Sequence, residues 1–210
     1  MSRSKDPRTG ASSPGRPRSQ EASDAIIWAT LDLLADSGFA GLTMEGIAAR
    51  AGVGKATLYR RWKSCEDVVA GAVAHLVEGG IHIPDTGSLE GDLRLLMERA
   101  VTTYHGRPGR IMPGLVSAMA HSDTVARAVR SQFLAGRREA LAGVVERGVA
   151  RGELSADVDV ELVLDFLGGP LFYRLLVTGG PLDDALAKGV VNTVLHGLPK
   201  PLDSDTEEKP

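Results

Sequence analysis

The stretch from Leu42 to Lys63, LTMEGIAARAGVGKATLYRRWK, constrains this chain more than any other, because it has the spacing of two short helices joined by a tight turn. Thr43 stands where an N-cap belongs, and Met44, Ile47, Ala48 and Ala51 follow at helical intervals that build one apolar face. Gly52 sits where the chain must leave that helix with positive φ, and Val53 is placed to fill the angle between the two helices. The second helix is expected to carry Lys55 to Trp62, with Leu58 and Trp62 facing inward. Outward it offers a cation, a hydroxyl, a phenol and two arginines. Such a face suits the major groove of duplex DNA, where polar side chains read base edges and flanking cations grip phosphate. A solvated helical hairpin has the same spacing, so the flanking residues decide between the two readings.

Residues 1–20 are rich in Ser, Pro, Arg, Gly and Lys and nearly free of apolar side chains, the composition of an arm that is disordered when free. Within it, Arg16 and Arg18 flank Pro17 on a stiff extended segment that fits a minor groove beside a docked helix; a solubilising leader is the alternative. From about Ser23, Ile26, Ala29, Thr30, Leu33 and Leu34 form a stripe that Ile27 and Leu31 widen, and Gly38 ends that helix. Phe39 and Leu42 can pack beneath the two-helix unit. The DNA-binding domain is therefore expected over 21–66, and a larger helical domain over 67–198, with a flexible tail from 199. Ser64 can cap the helix that links them, with Asp67 standing in for the Glu or Gln of a capping box. Val68, Val69, Ala72, Val73, Leu76 and Val77 carry this linking helix towards Gly79 and Gly80.

Scarce aromatics and abundant Ala, Leu, Val and Gly favour packed helices over a sheet, so the fold class is all-α. The charge is unevenly placed. Residues 1–63 hold a balance of +4 and the remainder −7, which together give the net −3. A basic module on an acidic body is what a protein needs when one end meets phosphate and the other does not. The single cysteine, Cys65, excludes an intrachain disulfide and fits a reducing cytoplasm; its place at a helix start is one that lowers a thiol pKa. An N-terminus with charge but no apolar stretch, and no segment of spanning length, predict a cytoplasmic protein without a membrane partner.

Residues 16–69 resemble the DNA-binding module of the tetracycline-repressor (TetR/AcrR) family, through the basic RPR arm, LTMEGIAARAGVGKATLYRRW and the KSxED helix start. The resemblance implies an all-helical homodimeric transcription regulator, usually a repressor, whose larger domain binds a small molecule and thereby releases double-stranded DNA. By position it implies Thr43 on a phosphate, Glu45, Lys55, Ala56, Thr57 and Tyr59 at or near base edges or backbone, and Arg60, Arg61 and Lys63 flanking them. Two positions depart from the pattern. Gly54 replaces the usual polar cap of the recognition helix, and Cys65 stands where many members have a phosphate-gripping lysine.

Further on, Leu93, Leu96, Met97, Ala100, Val101 and Tyr104 predict an amphipathic helix broken by HGRPGR, His105 to Arg110, and then a short apolar segment, Ile111 to Ala120. A long helix is expected from about Asp123 to Arg151, stopped by Gly152. Two more follow before Leu198, the first interrupted by Gly168, Gly169 and Pro170. This last pair resembles the C-terminal region in which many family members form a four-helix dimer interface. It makes Leu164, Leu167, Leu171, Leu175, Val190 and Val194 interface candidates, with simple core as the alternative. A ligand cavity would draw on Met97, Tyr104, Met112, Met119, Phe133, Phe166, Phe172 and Tyr173, although such residues at helical spacing equally make core.

Enzymatic readings fit poorly. Ala49 to Ala56 misses the first Gly of a phosphate loop and has Ala56 where a hydroxyl must meet magnesium. The five histidines lack metal-ligand spacing and no Ser lies in a nucleophile elbow, so no cofactor is expected. A ligand-binding or catalytic helical protein that keeps the hairpin as scaffold is the competing reading.

Overall fold

A computed structural model describes residues 18–76 and 83–197, all of whose regular structure is helical. Helix α1, Arg18–Ser37, lays down the central rod. Its inward face of Ile26, Ile27, Leu31 and Leu34 is fully enclosed, and the Thr30 hydroxyl among them donates to the Ile26 carbonyl at 2.8 Å, so its burial leaves no polar group unmet. Gly38, with φ of 67°, turns the chain into a single 3-10 turn, Phe39–Gly41, that leads to α2, Met44–Ala51, and α3, Lys55–Tyr59. Helix α4, Cys65–His75, packs Val68, Val69, Ala72 and Val73 back onto α1.

The body is built from α5, Leu89–His105; α6, Arg107–His121; α7, Asp123–Ala128; α8, Ala135–Ala150; α9, Val160–Tyr173; and α10, Asp184–His196. One apolar core runs unbroken from Ile26 of α1 to Val191 of α10, so the two halves of the chain share packing. They approach closely at Gly114 of α6. An added Cβ there would collide with the Leu34 carbonyl oxygen and lie 2.8 Å from Leu34 Cγ, so only glycine lets α6 lie this close to α1.

The segment entering α5 is pinned to α8 by charge. Asp92, fully buried, accepts the Thr86 backbone N–H at 2.6 Å and the Thr86 hydroxyl at 2.8 Å, and pairs with Arg147 at 3.2 Å and Arg151 at 3.6 Å. Glu153 reaches back to the Leu89 backbone N–H at 2.7 Å. The enclosure is thin, closed by Thr86 and the two guanidinium groups.

Several sequence expectations are corrected. Arg18 begins α1 instead of lying on an extended segment; Arg16, Val77 and residues from 198 lie outside the described part. HGRPGR is not a long break: Gly106 alone separates α5 from α6, and Pro108 sits in the first turn of α6, where no donor is required of it. The long helix over Asp123 to Arg151 contains a π-helical segment, Val129–Leu134. Gly168, Gly169 and Pro170 do not interrupt α9. The carbonyl that Pro170 leaves without a donor belongs to Phe166, which is exposed to water, so the helix continues without a buried orphan. It loosens later, in a second π segment, Arg174–Thr178.

Candidate nucleic-acid interface

The reading unit is assembled by caps. Thr43 Oγ1 accepts the Gly46 N–H at 3.0 Å, which satisfies one of the donors at the start of α2 and leaves the hydroxyl hydrogen free to donate outward. Gly52 ends α2 in the left-handed region at φ 66°, and the Val53 N–H reaches back to the Ala48 carbonyl at 3.0 Å. Gly54 opens α3 with no side-chain cap; its carbonyl alone receives the Thr57 N–H at 2.9 Å. Regular α-helix ends at Tyr59, shorter than the expected Lys55 to Trp62, and a closing turn bonds the Arg61 and Trp62 N–H groups to the Leu58 carbonyl. Leu58 is wholly buried against Met44, Ile47 and Ala48, while Trp62 is half-buried, its indole nitrogen lying over Gly71 of α4.

The side turned to solvent carries Thr43, Glu45, Lys55, Ala56, Tyr59, Arg60, Arg61 and Lys63, with Thr57 half-buried behind them. Tyr59 is 48% exposed, a large aromatic with no apolar reason to be outside. Glu45 pairs with Lys55 at 3.2 Å across the turn. Hydrogen bonding to its own backbone N–H, the larger influence, and then the Lys55 ammonium hold its carboxyl below the ordinary range. The pair cancels one charge, so the net cation of this face comes from Arg60, Arg61 and Lys63. Beside them Ser64 Oγ accepts the Asp67 N–H at 3.3 Å, and Asp67 returns to the Lys63 N–H at 3.2 Å, a capping box displaced by one residue. The half-buried Cys65 thiol is pushed up, first by burial and then by Glu66 and Glu45, against the lowering expected of a helix start.

Sequence reasoning missed how this unit is tied to the body. Asp36 of α1 bridges Arg50 of α2 and Arg110 of α6, each at 3.1 Å. Arg107 of α6 pairs with Asp32, donates to the Trp28 carbonyl at 3.1 Å and lies 4.2 Å over the Trp28 ring. The signal was present as the two arginines of HGRPGR, read only as a break.

The body candidates divide. Met97, Tyr104, Met112 and Phe133 are buried, and Met119 and Phe172 are half-buried, with Phe172 meeting Tyr104 edge-on at 5.5 Å. Phe166 and Tyr173 are 60% and 59% exposed and line no interior space. An open apolar groove of about 230 Å³ is lined by Val145, Val149 and Val158, none of them among the ligand candidates. Of the dimer candidates, Leu167, Leu171 and Val190 are buried in the protomer's own core, while Leu164, Leu175 and Val194 are partly buried against it. The apolar row that α9 and its π extension leave outside is a different one, with Leu162 at 50% and Val177 at 68% exposure in line with Phe166 and Tyr173.

A two-helix reading unit on a three-helix carrier, with its polar face outward and a helical body behind it, defines the helix–turn–helix class of DNA-binding proteins. Comparison with known proteins agrees. Residues 26–72 match the bacterial regulatory proteins of the tetR family, and residues 83–194 match the tetracyclin repressor-like C-terminal domain. The chain is 33% identical over 184 residues to the HTH-type transcriptional regulator YdeS of Bacillus subtilis, covering 88% of this chain and 93% of that one. It is 32% identical to the DNA-binding transcriptional repressor TetR of Mycobacteroides abscessus, over 88% and 97%. Among solved structures, the TetR family transcription regulator SCO0332 superposes with a TM-score of 0.65 at 31% identity, covering 86% of this chain and all of the other. The Bacillus subtilis regulator FadR in complex with stearoyl-CoA has the same fold, at a TM-score of 0.67 and 19% identity over 83% and 98%. The chain belongs to the TetR family of transcriptional regulators, and it is a DNA-binding regulator of transcription. No described helix is long and apolar enough to cross a membrane.

Proposed function

We propose that the protein is a cytoplasmic repressor that binds a pseudo-palindromic operator as a homodimer and is released by a small-molecule effector. The observation that carries this reading is the solvent-facing side of α2 and α3, where the exposed Tyr59, Arg60, Arg61 and Lys63 stand with Thr43, whose side-chain oxygen caps α2. In this reading Thr43, Arg60, Arg61 and Lys63 hold phosphate, and Lys55, Ala56, Thr57 and Tyr59 face base edges, with Glu45 released from or retained on Lys55 as the site demands. In the same reading Arg16, and Arg18 at the start of α1, contribute minor-groove contacts. A two-fold pairing places two such units about one or more DNA turns apart. The exposed row Leu162, Phe166, Tyr173 and Val177 is the surface offered for that pairing; Gly169 falls within it and has open space where a Cβ would stand, so a partner backbone can come close. The effector acts by binding the DNA-incompetent arrangement more tightly, through α4 and through the α6 contacts on α1.

A gel-shift titration against genomic fragments tests the reading. Log affinity falls steeply with log salt if phosphates are neutralised, and Thr57→Ala or Tyr59→Ala costs about 1–3 kcal/mol on the preferred fragment alone. Arg61→Ala or Lys63→Ala weakens all fragments alike. Equal affinity for all duplexes at low ionic strength, or none, rejects it.

A further inference from the structure

One half-buried cation of the body is held by an aromatic face and a carbonyl. Arg137 of α8 is half-buried, and among the described residues no carboxylate pairs with it. Its neighbour Arg138 pairs with Glu161, and Arg147 and Arg151 share Asp85 and Asp92. The guanidinium lies 3.5 Å over the Phe133 ring, and one nitrogen donates to the Phe133 carbonyl at 2.9 Å. The Tyr104 hydroxyl faces it. Burial pushes the Tyr104 pKa up, more than the facing Arg137 charge pulls it down, so the phenol is neutral and offers a hydroxyl rather than a counter-charge. Phe172 closes the far side of Tyr104.

Such an arrangement is expensive without an occupant. Removing a cation from water costs free energy that an ion pair or a ligand must offset, and an aromatic face with one carbonyl does so only in part. Arginine has five N–H donors in a planar fork, and here they meet only one carbonyl and the Tyr104 hydroxyl among the described residues. The backbone is also irregular at this place: the π-helical segment Val129–Leu134 ends immediately before α8, carrying Phe133 one turn ahead of Arg137. Single π turns inside α-helices are rare and cluster at functional sites.

We propose that Arg137, with Tyr104 beside it and Phe133 and Phe172 as walls, recognises the anionic end of the effector, and that the effector is an organic carboxylate with an apolar body. The proposal rests on the effector-released reading above and adds the ligand's chemical class. The charge selects the class: a single guanidinium matches a monoanion held by its planar fork, and the adjacent cation, Arg138, is already paired with Glu161.

The test uses sodium decanoate and sodium benzoate as probes, decanamide and benzamide as neutral counterparts, and inorganic phosphate as an anion without a body. Binding is followed by thermal shift and isothermal titration calorimetry on the full chain. At least one carboxylate is expected to bind and raise the melting temperature, with its amide and phosphate at least tenfold weaker. Arg137→Gln abolishes the preference of carboxylate over amide, Arg137→Lys keeps part of it, and Tyr104→Phe weakens carboxylate binding several-fold. If neither carboxylate binds, if amides bind equally well, or if the preference survives in Arg137→Gln, the proposal is overturned. A gel shift in the same samples separates it from the broader reading. Ligand-free protein that binds DNA while ignoring carboxylates rejects the anion site alone, whereas carboxylate binding that leaves the DNA complex intact keeps the site and rejects release by it.

Discussion

Replacing Asp92 measures how firmly the entry to α5 is held against α8. The carboxylate is fully buried and accepts two bonds from Thr86, at 2.6 and 2.8 Å, and one from Arg147 at 3.2 Å. Asp92→Ala leaves the Thr86 N–H without an acceptor, about 1–3 kcal/mol, and removes a charge-assisted bond of about 1.5–3 kcal/mol. The arginines are not stranded, because Arg151 keeps Asp85 at 2.5 Å and Glu153 at 3.8 Å, so the loss is expected at about 3–5 kcal/mol and no more. Asp92→Asn keeps an acceptor for Thr86 and loses only the charge, about 1–2 kcal/mol. For a chain of this size these figures correspond to roughly 6–20 °C and 2–8 °C in Tm. The pH dependence separates charge from shape. Burial is the largest single influence on the Asp92 carboxyl and pushes it up, but Thr86 and Arg147 together hold it below the ordinary range. A depressed folded pKa means the contribution is complete above the unfolded value of about 3.9 and is lost as pH falls below it. Urea unfolding followed by circular dichroism should therefore show a gap between the native protein and Asp92→Asn that is constant from neutral pH to about pH 5 and closes in acid. A gap that persists unchanged in acid, or an Asp92→Ala variant within 1 kcal/mol of the native protein, about one rotamer's worth of entropy, refutes the reasoning.

Three further outcomes are expected. Gly114→Ala gains up to about 1 kcal/mol of helix propensity but must move α6 off Leu34, at about 1–3 kcal/mol, so a lowered urea midpoint is the result and a raised one rejects the close approach. Gly52→Ala places a Cβ at φ 66° with open space around it, so the loss is confined to backbone strain of about 1–2 kcal/mol, readable by the same unfolding assay. Phe166→Asp together with Tyr173→Asp puts charge on the exposed row of α9; sedimentation should report dissociation to monomers with the helical signal intact, and dimers of unchanged stability exclude that row from the pairing surface.

The DNA-reading end was legible because its signals are local. Thr43, Gly52, Ser64 and the apolar intervals between them are decided within one or two turns of helix, so the caps read from the letters are the caps observed. The departure there is also local in kind: α3 tightens at its end, where the Leu58 carbonyl takes both the Arg61 and the Trp62 N–H groups in a closing turn. Tertiary contacts were not legible. Arg107 and Arg110 act across more than seventy residues on Asp32 and Asp36, and Arg137 is conspicuous only once Arg138 beside it is seen to have an acid while, among the described residues, it has none.

The C-terminal helices show why periodicity alone misassigns a surface. An amphipathic helix names its own inner face, because only one stripe is apolar. Helix α9 has two. Leu164, Leu167, Leu171 and Leu175 form one row, and Leu162, Phe166, Tyr173 and Val177 form another on the opposite side, so the sequence says that both are to be covered without saying by what. The choice is made by the partners the chain itself supplies: α10 and α8 pack against α9, α10 also packs on α5, and the leucine row is enclosed among them. The protomer thereby consumes one row and leaves the other in water. A solvent-facing row of two aromatics and two aliphatics is more apolar surface than a lone helix keeps without cause, which is why the proposed pairing surface is placed on the row that carries Phe166 and Tyr173.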